Sequence, residues 1–361
     1  MSSLRIAVIG ANGQVGAETC LFLKQCQEID VIPISRSLYG SSLLRRCGLE
    51  CRHGSVDSQE GASQLLGDCD MVVNFALPKG STTKVRAATR HLINSTMACA
   101  PRVRRYVYMS TMSIYRLNRR DPLFRTYGAL KRYAEKLTLR AGKRAGKSIF
   151  ILRLGQVHGE LQNVSRSFLR QMRGEEALVT AGPSNTVFVY SVAEAIRQIA
   201  SGIITPGTYT LVSNPPWSWA EIHGYYAKRC GIVPRVRERP LPAARFEHRI
   251  WRNLMKLLKT ELAAAAYHNR DIVDNCLGQL SPYWQMKLRI AYGQQRVARA
   301  IGDDPDLLAW APYPEEFIAP GKRISSLSDS RQSMKAEVEA VQRILAGISA
   351  FPGLHSANNP L

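Results

Sequence analysis

No apolar run in the sequence approaches the ~20 residues that a membrane-spanning helix needs, which argues against an integral helical membrane protein. A cysteine framework is also missing. The eight cysteines, at positions 20, 26, 47, 51, 69, 99, 230 and 276, show no paired C-x-x-C spacing. Free thiols are therefore expected, and neither a disulfide scaffold nor a metal site. Acidic residues are scarce: 28 Asp and Glu face 49 Lys and Arg, for a formal net charge of +21. Such a surplus suits nucleic acid, an anionic lipid surface or an anionic small substrate, or it reflects an Arg-rich solvated surface. The cations are scattered through Arg102–Arg105, Arg116–Arg120, Arg140–Lys147 and Arg166–Arg173 without forming a basic arm. No zinc-finger, basic-zipper or RNA-binding signature accompanies them, which argues against nucleic acid. The chain runs from Met1 to Arg5 straight into an apolar strand, without the hydrophobic segment of a signal peptide. A cytoplasmic protein is expected.

What the sequence does have is alternation. Short runs of Val, Ile, Leu and aromatics are separated by stretches with helical periodicity, the pattern of a parallel sheet wrapped by helices. The candidate strands are Arg5–Ile9, Val31–Ser35, Glu50–His53, Met71–Phe75, Val103–Ser110 and Ser148–Leu154. Helices are expected over Gln14–Gln27, Gln59–Leu66, Thr83–Ala98 and Tyr127–Ala145. With right-handed crossovers this is an α/β chain with a doubly wound parallel Rossmann sheet. Residues 1–160 form the nucleotide-binding domain, and 186–204 return to it. Residues 161–322 hold a smaller substrate-binding part and an extra helical region, in which Phe246–Ala265 and Trp284–Ile301 are the densest helical stretches. A polar linker (Ser325–Ser333), a helix near Lys335–Ile348 and a tail make up 323–361.

Gly10-Ala11-Asn12-Gly13-Gln14-Val15-Gly16 lies directly after the first strand and opens the first helix. Glycine at these places permits the tight turn and lets backbone N–H groups approach a pyrophosphate at the helix N-terminus. Strand before and helix after are the context this motif requires. Gly10, Asn12, Gly13, Gln14, Val15 and Gly16 are therefore candidate cofactor ligands. At the end of the second strand, where an acidic residue would accept hydrogen bonds from a ribose 2′-hydroxyl, the chain has Ser35-Arg36-Ser37. A guanidinium pairs with a 2′-phosphate, so Arg36 favours NADP(H), with NAD(H) as the alternative. Asp57, after the third strand, is positioned either to accept from the adenine amino group or to cap a helix.

The fifth strand ends in Ser110-Thr111-Met112-Ser113, and the following helix carries Tyr127 and Lys131. The i, i+4 spacing sets phenol and ammonium on one helical face. A neighbouring cation favours the phenolate and brings the tyrosine from about 10 toward the working range. Tyr127 is thereby suited to exchange the proton of an alcohol/carbonyl couple, with Thr111 bonding the same oxygen.

Taken in order and spacing, these features over residues 4–230 resemble the extended short-chain dehydrogenase/reductase superfamily, in its NAD(P)-dependent epimerase/dehydratase branch. The resemblance implies that Lys131 also grips the nicotinamide ribose and that hydride moves between nicotinamide and a sugar carbon. It places Ala76, just past the fourth strand, and Val157, in Leu152-Arg153-Leu154-Gly155-Gln156-Val157-His158-Gly159, at the cofactor. Asn163 resembles an asparagine that meets a substrate diphosphate, and Arg166, Arg170 and Arg173 are further candidates for that anion. Val187–Ala195 resembles the family's Val-His-Val-x-Asp-Val-Ala-x-Ala stretch, with Phe188 and Tyr190 or Ser191 replacing its His and Asp. Where the family's 4,6-dehydratases have Asp-Glu after the active-site Thr, this chain has Met112-Ser113, so water elimination is not expected and Ser113 is left as a substrate contact. His158, Trp217 and Trp219 are expected to be packed. The expected function is an NAD(P)-dependent reductase, dehydrogenase or epimerase acting on a hydroxyl/keto carbon of a sugar or sugar nucleotide. The alternative is a non-catalytic NADP-binding regulator or scaffold. Basic amphipathic stretches such as Trp251–Lys259 pack on the domain, join a homo-oligomer or lie on a membrane surface.

Overall fold

The structure, a computed structural model, describes residues 3–78, 82–99, 101–116, 122–171, 177–180, 184, 186–212, 217–233, 236–239, 309–310 and 337–346. The helical stretches expected within 246–301 and the polar linker lie outside these residues.

The first half alternates strand and helix: β1 (Leu4–Ile9), α1 (Gln14–Leu23), β2 (Ile29–Ser35), α2 (Ser42–Arg46), β3 (Arg52–His53), α3 (Gln59–Leu66), β4 (Met71–Asn74), α4 (Thr82–Cys99), β5 (Arg105–Thr111), α5 (Pro122–Arg144) and β6 (Ser148–Leu154). β7 (Gln156–His158), α6 (Asn163–Gln171), β8 (Ala177–Thr180), β9 (Thr186–Phe188), α7 (Val189–Ala200), β10 (Gly207–Leu211), α8 (Trp219–Arg229), β11 (Val236–Arg239) and β12 (Ala309–Trp310) follow. A last helix, α9, spans 337–346.

The main sheet is parallel throughout, in the order β3-β2-β1-β4-β5-β6-β10-β12. Its strands are apolar at nearly every position because both faces are covered. Ile6 and Val8, Met71 and Val73, Val107 and Met109, and Phe150 and Leu152 enter the core shared with α1 and α7. Their alternates Ala7 and Ile9, Tyr106 and Tyr108, and Ile149 and Ile151 enter the core beneath α3, α4 and α5. The strand order turns back between β1 and β4, which pair from Ile6–Met71 to Ile9–Asn74. In such a sheet the crevice beyond the carboxyl ends of those two strands is where ligands bind.

Two small parallel pairs, β7 with β9 and β8 with β11, stand apart from the main sheet. α6 and α8 close over a third core, in which Phe168 and Trp219 stack at 6.0 Å between centroids and Ile222 and Tyr226 are fully covered. Ser218 caps α8 in a reciprocal capping box with Glu221, which fixes where the helix begins. Cys20, Cys47 and Cys69 are buried free thiols, and Cys230 is exposed.

α5 begins at Pro122, five residues ahead of the start expected from the apolar pattern. Proline is favoured at a first helical position because its fixed φ suits the helix and no N–H is required there. Tyr127 accordingly lies in the second turn. The segment around Val187–Tyr190 divides into β9 and the start of α7, so Tyr190 is helical, buried, and packed edge-on against Phe22 of α1.

α9 returns to the nucleotide-binding core. Val341 is fully buried in the α1/α7 core, flanked by Val338, Ile344 and Leu345. Arg197 of α7 grips Glu337 through both terminal guanidinium nitrogens at 3.0–3.1 Å. Gln342 donates to Glu160 at 3.2 Å. Replacing Val341 by Asp places an unsatisfied carboxylate in this seat and costs about 2–3 kcal/mol. Hydrogen exchange is expected to show residues 337–346 losing protection together, ahead of the sheet. Unchanged protection in the V341D protein would mean that the helix is not seated as described.

Candidate active site

At the carboxyl end of β1 the backbone turns through Gly10, whose φ of +79° belongs to the left-handed region. A Cβ there would lie 2.8 Å from the Ala76 nitrogen, so the turn touches the segment leaving β4. One at Gly16 would lie 2.6 Å from the Gly10 carbonyl oxygen. The Gly13 N–H closes the turn on that carbonyl at 3.0 Å. Gly13 is also the N-cap of α1 and offers no side-chain acceptor, so the first N–H groups of the helix remain for an external anion. These features fit a dinucleotide pyrophosphate. The far side of the crevice is set by Asn74, whose amide donates to the Tyr106 hydroxyl at 2.7 Å and accepts from Ala76 N–H at 2.8 Å.

The 35–41 loop lies against the glycine turn. A Cβ at Gly40 would meet Ser35 Oγ at 3.0 Å and Asn12 Nδ2 at 3.2 Å. Ser35 donates to the Ser37 carbonyl at 2.9 Å, which shapes the loop, and Arg36 is exposed beside it. Asp57 is exposed, with its carbonyl held by Ser95 at 3.0 Å. Ser58, not Asp57, caps α3, accepting from Gly61 N–H at 3.1 Å. The carboxylate of Asp57 is not used for capping.

At the end of β5, Thr111 Oγ1 accepts from Ser113 N–H and bonds Ser113 Oγ, both at 3.2 Å, which starts a tight turn over Met112–Arg116. Met112 is buried and Ser113 half-buried. On α5, Lys131 is buried and donates to the Met109 carbonyl at 2.8 Å. Its ammonium sits 5.0 Å from the centre of the Tyr108 ring. Burial pushes Lys131 down to about 8, against the upward pull of Glu135. Burial and the neighbouring Tyr127 hold the Tyr108 phenol well above its ordinary range. Tyr127, Tyr108 and Lys131 thus share one electrostatic environment.

Sequence reasoning missed the two carboxylates that hold this arrangement. Glu135, four residues beyond Lys131, accepts from Arg153 of β6 at 3.1 and 2.9 Å and from Ser110 of β5. It pins α5 to two strands. Glu18 of α1 is 1% exposed and accepts from Glu160 N–H at 2.7 Å, Leu161 N–H at 2.9 Å and the Gln162 amide at 2.8 Å. A Cβ at Gly159 would stand 2.3 Å from that carboxylate. Each acid lies on a helix face that is otherwise apolar or buried, and that misfit was the available signal.

Through Glu18 the cofactor helix carries the 159–162 loop and the start of α6, where Asn163 N–H reaches Gln14 Oε1 at 3.4 Å. Asn163 and Arg166 are exposed on α6 and Val157 is half-buried on β7. His158 is fully buried, its Nδ1 2.8 Å from the Tyr226 hydroxyl, which bonds Ser165 in turn. Burial pushes it down to about 3, so it is a neutral packing residue. Phe188 and Tyr190 are likewise core residues. The side chain of Arg170 and all of Arg173 lie outside the described residues.

Parallel strands, an order that turns back beside a glycine-lined helix N-terminus, and a Tyr/Lys pair on the α5 face define a Rossmann-type dinucleotide-binding protein of the extended short-chain dehydrogenase/reductase class. The NAD dependent epimerase/dehydratase family matches residues 6–201, more than half of the chain, and the chain belongs to that family. No curated protein matches the sequence. Among solved structures, UDP-N-acetylglucosamine 4-epimerase from Bacillus cereus is similar at a TM-score of 0.53 and 21% identity, over 66% of this chain and 86% of that one. WbmH from Bordetella bronchiseptica, in complex with NAD+, gives 0.51 and 21% over 66% and 86%. The dTDP-glucose 4,6-dehydratase of Bacillus anthracis, in complex with NAD, gives 0.51 and 16% over 66% and 85%. At these identities the likeness is one of fold. No helix among the described residues is long and apolar enough to cross a membrane.

Burial pushes Glu18 up to about 7 despite its three donors. A carboxyl raised in the folded state stabilises the fold below the ordinary carboxylate range, and that contribution is lost as pH rises through about 7, about 3 kcal/mol at most. Glu18→Gln removes this slope. It also turns an N–H toward the 160–162 donors, at a cost of about 1–3 kcal/mol. Thermal melts of both proteins from pH 5 to 8 test this. Equal slopes would dissociate Glu18 from the effect.

Proposed function

We propose that the chain is an NADP(H)-dependent oxidoreductase or epimerase acting on a hydroxyl/keto carbon of a sugar or nucleotide-sugar-like substrate, with Tyr127 as its acid/base. The observation that carries this reading is the Glu135–Arg153–Ser110 lock, which holds the Tyr127/Lys131 face of α5 against the end of β5 where Thr111 stands.

The dinucleotide, when bound, supplies or accepts a hydride at the substrate carbon. The glycine turn, with Gly10, Asn12, Gly13, Gln14, Val15 and Gly16, holds its pyrophosphate. Ala76, Val157 and Asp57 line its length, and Arg36 with Ser35 and Ser37 receives a 2′-phosphate. Tyr127 takes the proton of the substrate hydroxyl, or returns one to the carbonyl oxygen, while the Thr111 hydroxyl bonds the same oxygen. Lys131 carries a charge that burial makes costly, and a phenolate at Tyr127 offsets that cost. Cation and phenolate thus stabilise each other in a dry site. Lys131 also serves the nicotinamide ribose. Asn163, Arg166 and Ser113 are assigned to the substrate. Dehydration is not proposed, because Met112 and Ser113 offer no acid/base pair next to Thr111.

Tyr127→Phe is expected to lower kcat by on the order of a hundred- to ten-thousandfold while NADP(H) affinity is kept. The readout is conversion across a panel of UDP- and dTDP-sugars, scored by mass spectrometry. Full turnover by the Phe variant would overturn the acid/base assignment.

Arg36→Ala is expected to weaken NADP(H) binding by about ten- to a hundredfold and leave NAD(H) binding unchanged. Calorimetry with both dinucleotides measures this. Preference of the unmodified protein for NAD(H) would overturn the cofactor assignment.

A further inference from the structure

The family match ends at residue 201, and α9 lies well beyond it at 337–346. Burial of Val341 and the Arg197–Glu337 pair account for the seat of the helix on α1 and α7. They do not account for Gln342, whose amide leaves that seat and donates to the Glu160 carboxylate at 3.2 Å. The direction of the helix makes this contact possible. At its start, the Glu337 carbonyl accepts from the Gln25 amide, just past the end of α1, at 3.5 Å. Gln342, five residues and about 7–8 Å further on, stands beside a residue whose N–H is held by Glu18 in the first half of α1. α9 therefore runs antiparallel to α1, toward the glycine turn and the crevice.

Glu160 faces two ways. Its N–H satisfies Glu18, while its own carboxylate adds repulsion to that buried acid. A second carboxylate beside a buried one is unfavourable without a donor of its own, and Gln342 supplies that donor from the side of α9. Leu161 packs against the α1/α7 core, so the loop of residues 159–163 lies between α1 and α9. Upstream the chain is fixed independently, because Val157 and His158 pair with Val187 and Phe188 of β9. Downstream, Arg166 N–H donates to the Gln162 carbonyl at 3.1 Å and Asn163 N–H reaches Gln14 at 3.4 Å. The first turn of α6 thus takes its position from the loop.

We propose that Gln342 and Glu160 are positioning residues for the substrate: from the C-terminal helix they set the loop that carries Asn163 and the first turn of α6. This rests on the reading of Asn163 and Arg166 as substrate contacts. The two sides of the site then have different supports. The cofactor side is built on α1 and on β7, which β9 holds without α9. The substrate side depends on α9 through one amide–carboxylate contact. Displacing α6 weakens contacts to the bound substrate and to the transition state alike, so the effect falls on KM and not on kcat.

Gln342→Glu in the full chain sets a second carboxylate against Glu160. Adding Glu160→Gln restores an amide–carboxylate pair with the partners exchanged. Hydrogen exchange, calorimetry with NADP(H), and turnover of whichever UDP- or dTDP-sugar the unmodified protein converts are measured on all three proteins. In the single variant residues 159–166 are expected to lose protection and KM to rise by about tenfold. Its kcat, its NADP(H) affinity and the protection of 337–346 are expected to stay as they were, since Val341 and Glu337 are untouched. The double variant is expected to recover both protection and KM. Unchanged protection of 159–166 in the single variant, or lost protection with an unchanged KM, would overturn the proposal. So would no recovery in the double variant, or a fall in NADP(H) affinity equal to the rise in KM. If the unmodified protein converts no sugar nucleotide, the substrate reading itself fails, while hydrogen exchange still decides whether Gln342 sets the loop.

Discussion

The carboxylate of Glu135 sits between a helix and two strands, and the geometry of the site depends on it. A buried acid is costly unless it is paired and hydrogen-bonded. Glu135 meets that requirement with two nitrogens of Arg153 and the Ser110 hydroxyl. The three residues come from α5, β6 and β5, so satisfying the charge fixes the rotation and height of α5 over the sheet. Lys131, one turn back, is then delivered to the Met109 carbonyl and the Tyr108 ring. The same acid raises the affinity of Lys131 for its proton, against a burial that lowers it. A shorter or neutral residue at 135 would free the helix face and remove that upward pull on the lysine.

Glu18 does comparable work between the nucleotide-binding core and the part that follows it. Its three donors come from residues 160–162, more than 140 positions away in sequence. The loop they fix carries Val157 and His158 on one side and Asn163 on the other. Gly159 is required at the closest approach, since any side chain there would overlap the carboxylate. The other face of this loop meets α9 through Glu160 and Gln342. α9 itself is clamped by Arg197, which also bonds Glu194 of its own helix at 2.9 Å. The cofactor helix, the segment leading to α6 and the C-terminal helix are thus linked through a few charged groups, each of which would be destabilising alone.

The division between what was legible and what was not follows from the range of the interactions. β6 is visible residue for residue, because a strand covered on both faces must be apolar at nearly every position, and α3 is visible from its apolar spacing, although its cap is Ser58 and not Asp57. The glycine turn and the Tyr127/Lys131 spacing are local patterns and were read directly. The five-residue discrepancy at the start of α5 arose because Pro122 opens the helix before its apolar face does. α6, with a polar mean composition, and the two- to four-residue strands β8, β11 and β12 offer too little periodicity to read. The hydrogen bonds of Glu18 and the ion pairs of Glu135 and Glu337 join residues 18 to 144 positions apart, and such contacts leave no spacing in the sequence. An amphipathic helix near 335–348 was readable, but its seat on α1 and α7 was not, because an apolar face does not name its partner.

Charge is consequently used in two ways in this molecule. Inside, a small number of acids are each matched by donors and determine how elements meet; there the low dielectric makes every unpaired group expensive. Outside, on α4 and α5, cations face no exposed acid on their own helices, and water makes them cheap to keep; Arg86 and Arg90 engage only Tyr133 of the neighbouring helix. The two populations are nearly independent, because a pair such as Glu135–Arg153 is shielded from the exposed row on the same helix by the packed face between them. A change in the outer row therefore alters the charge of the surface, while a change in the inner set alters how the site is built. That separation lets one helix carry the Tyr127/Lys131 pair on its inner face and a strongly positive surface on its outer one.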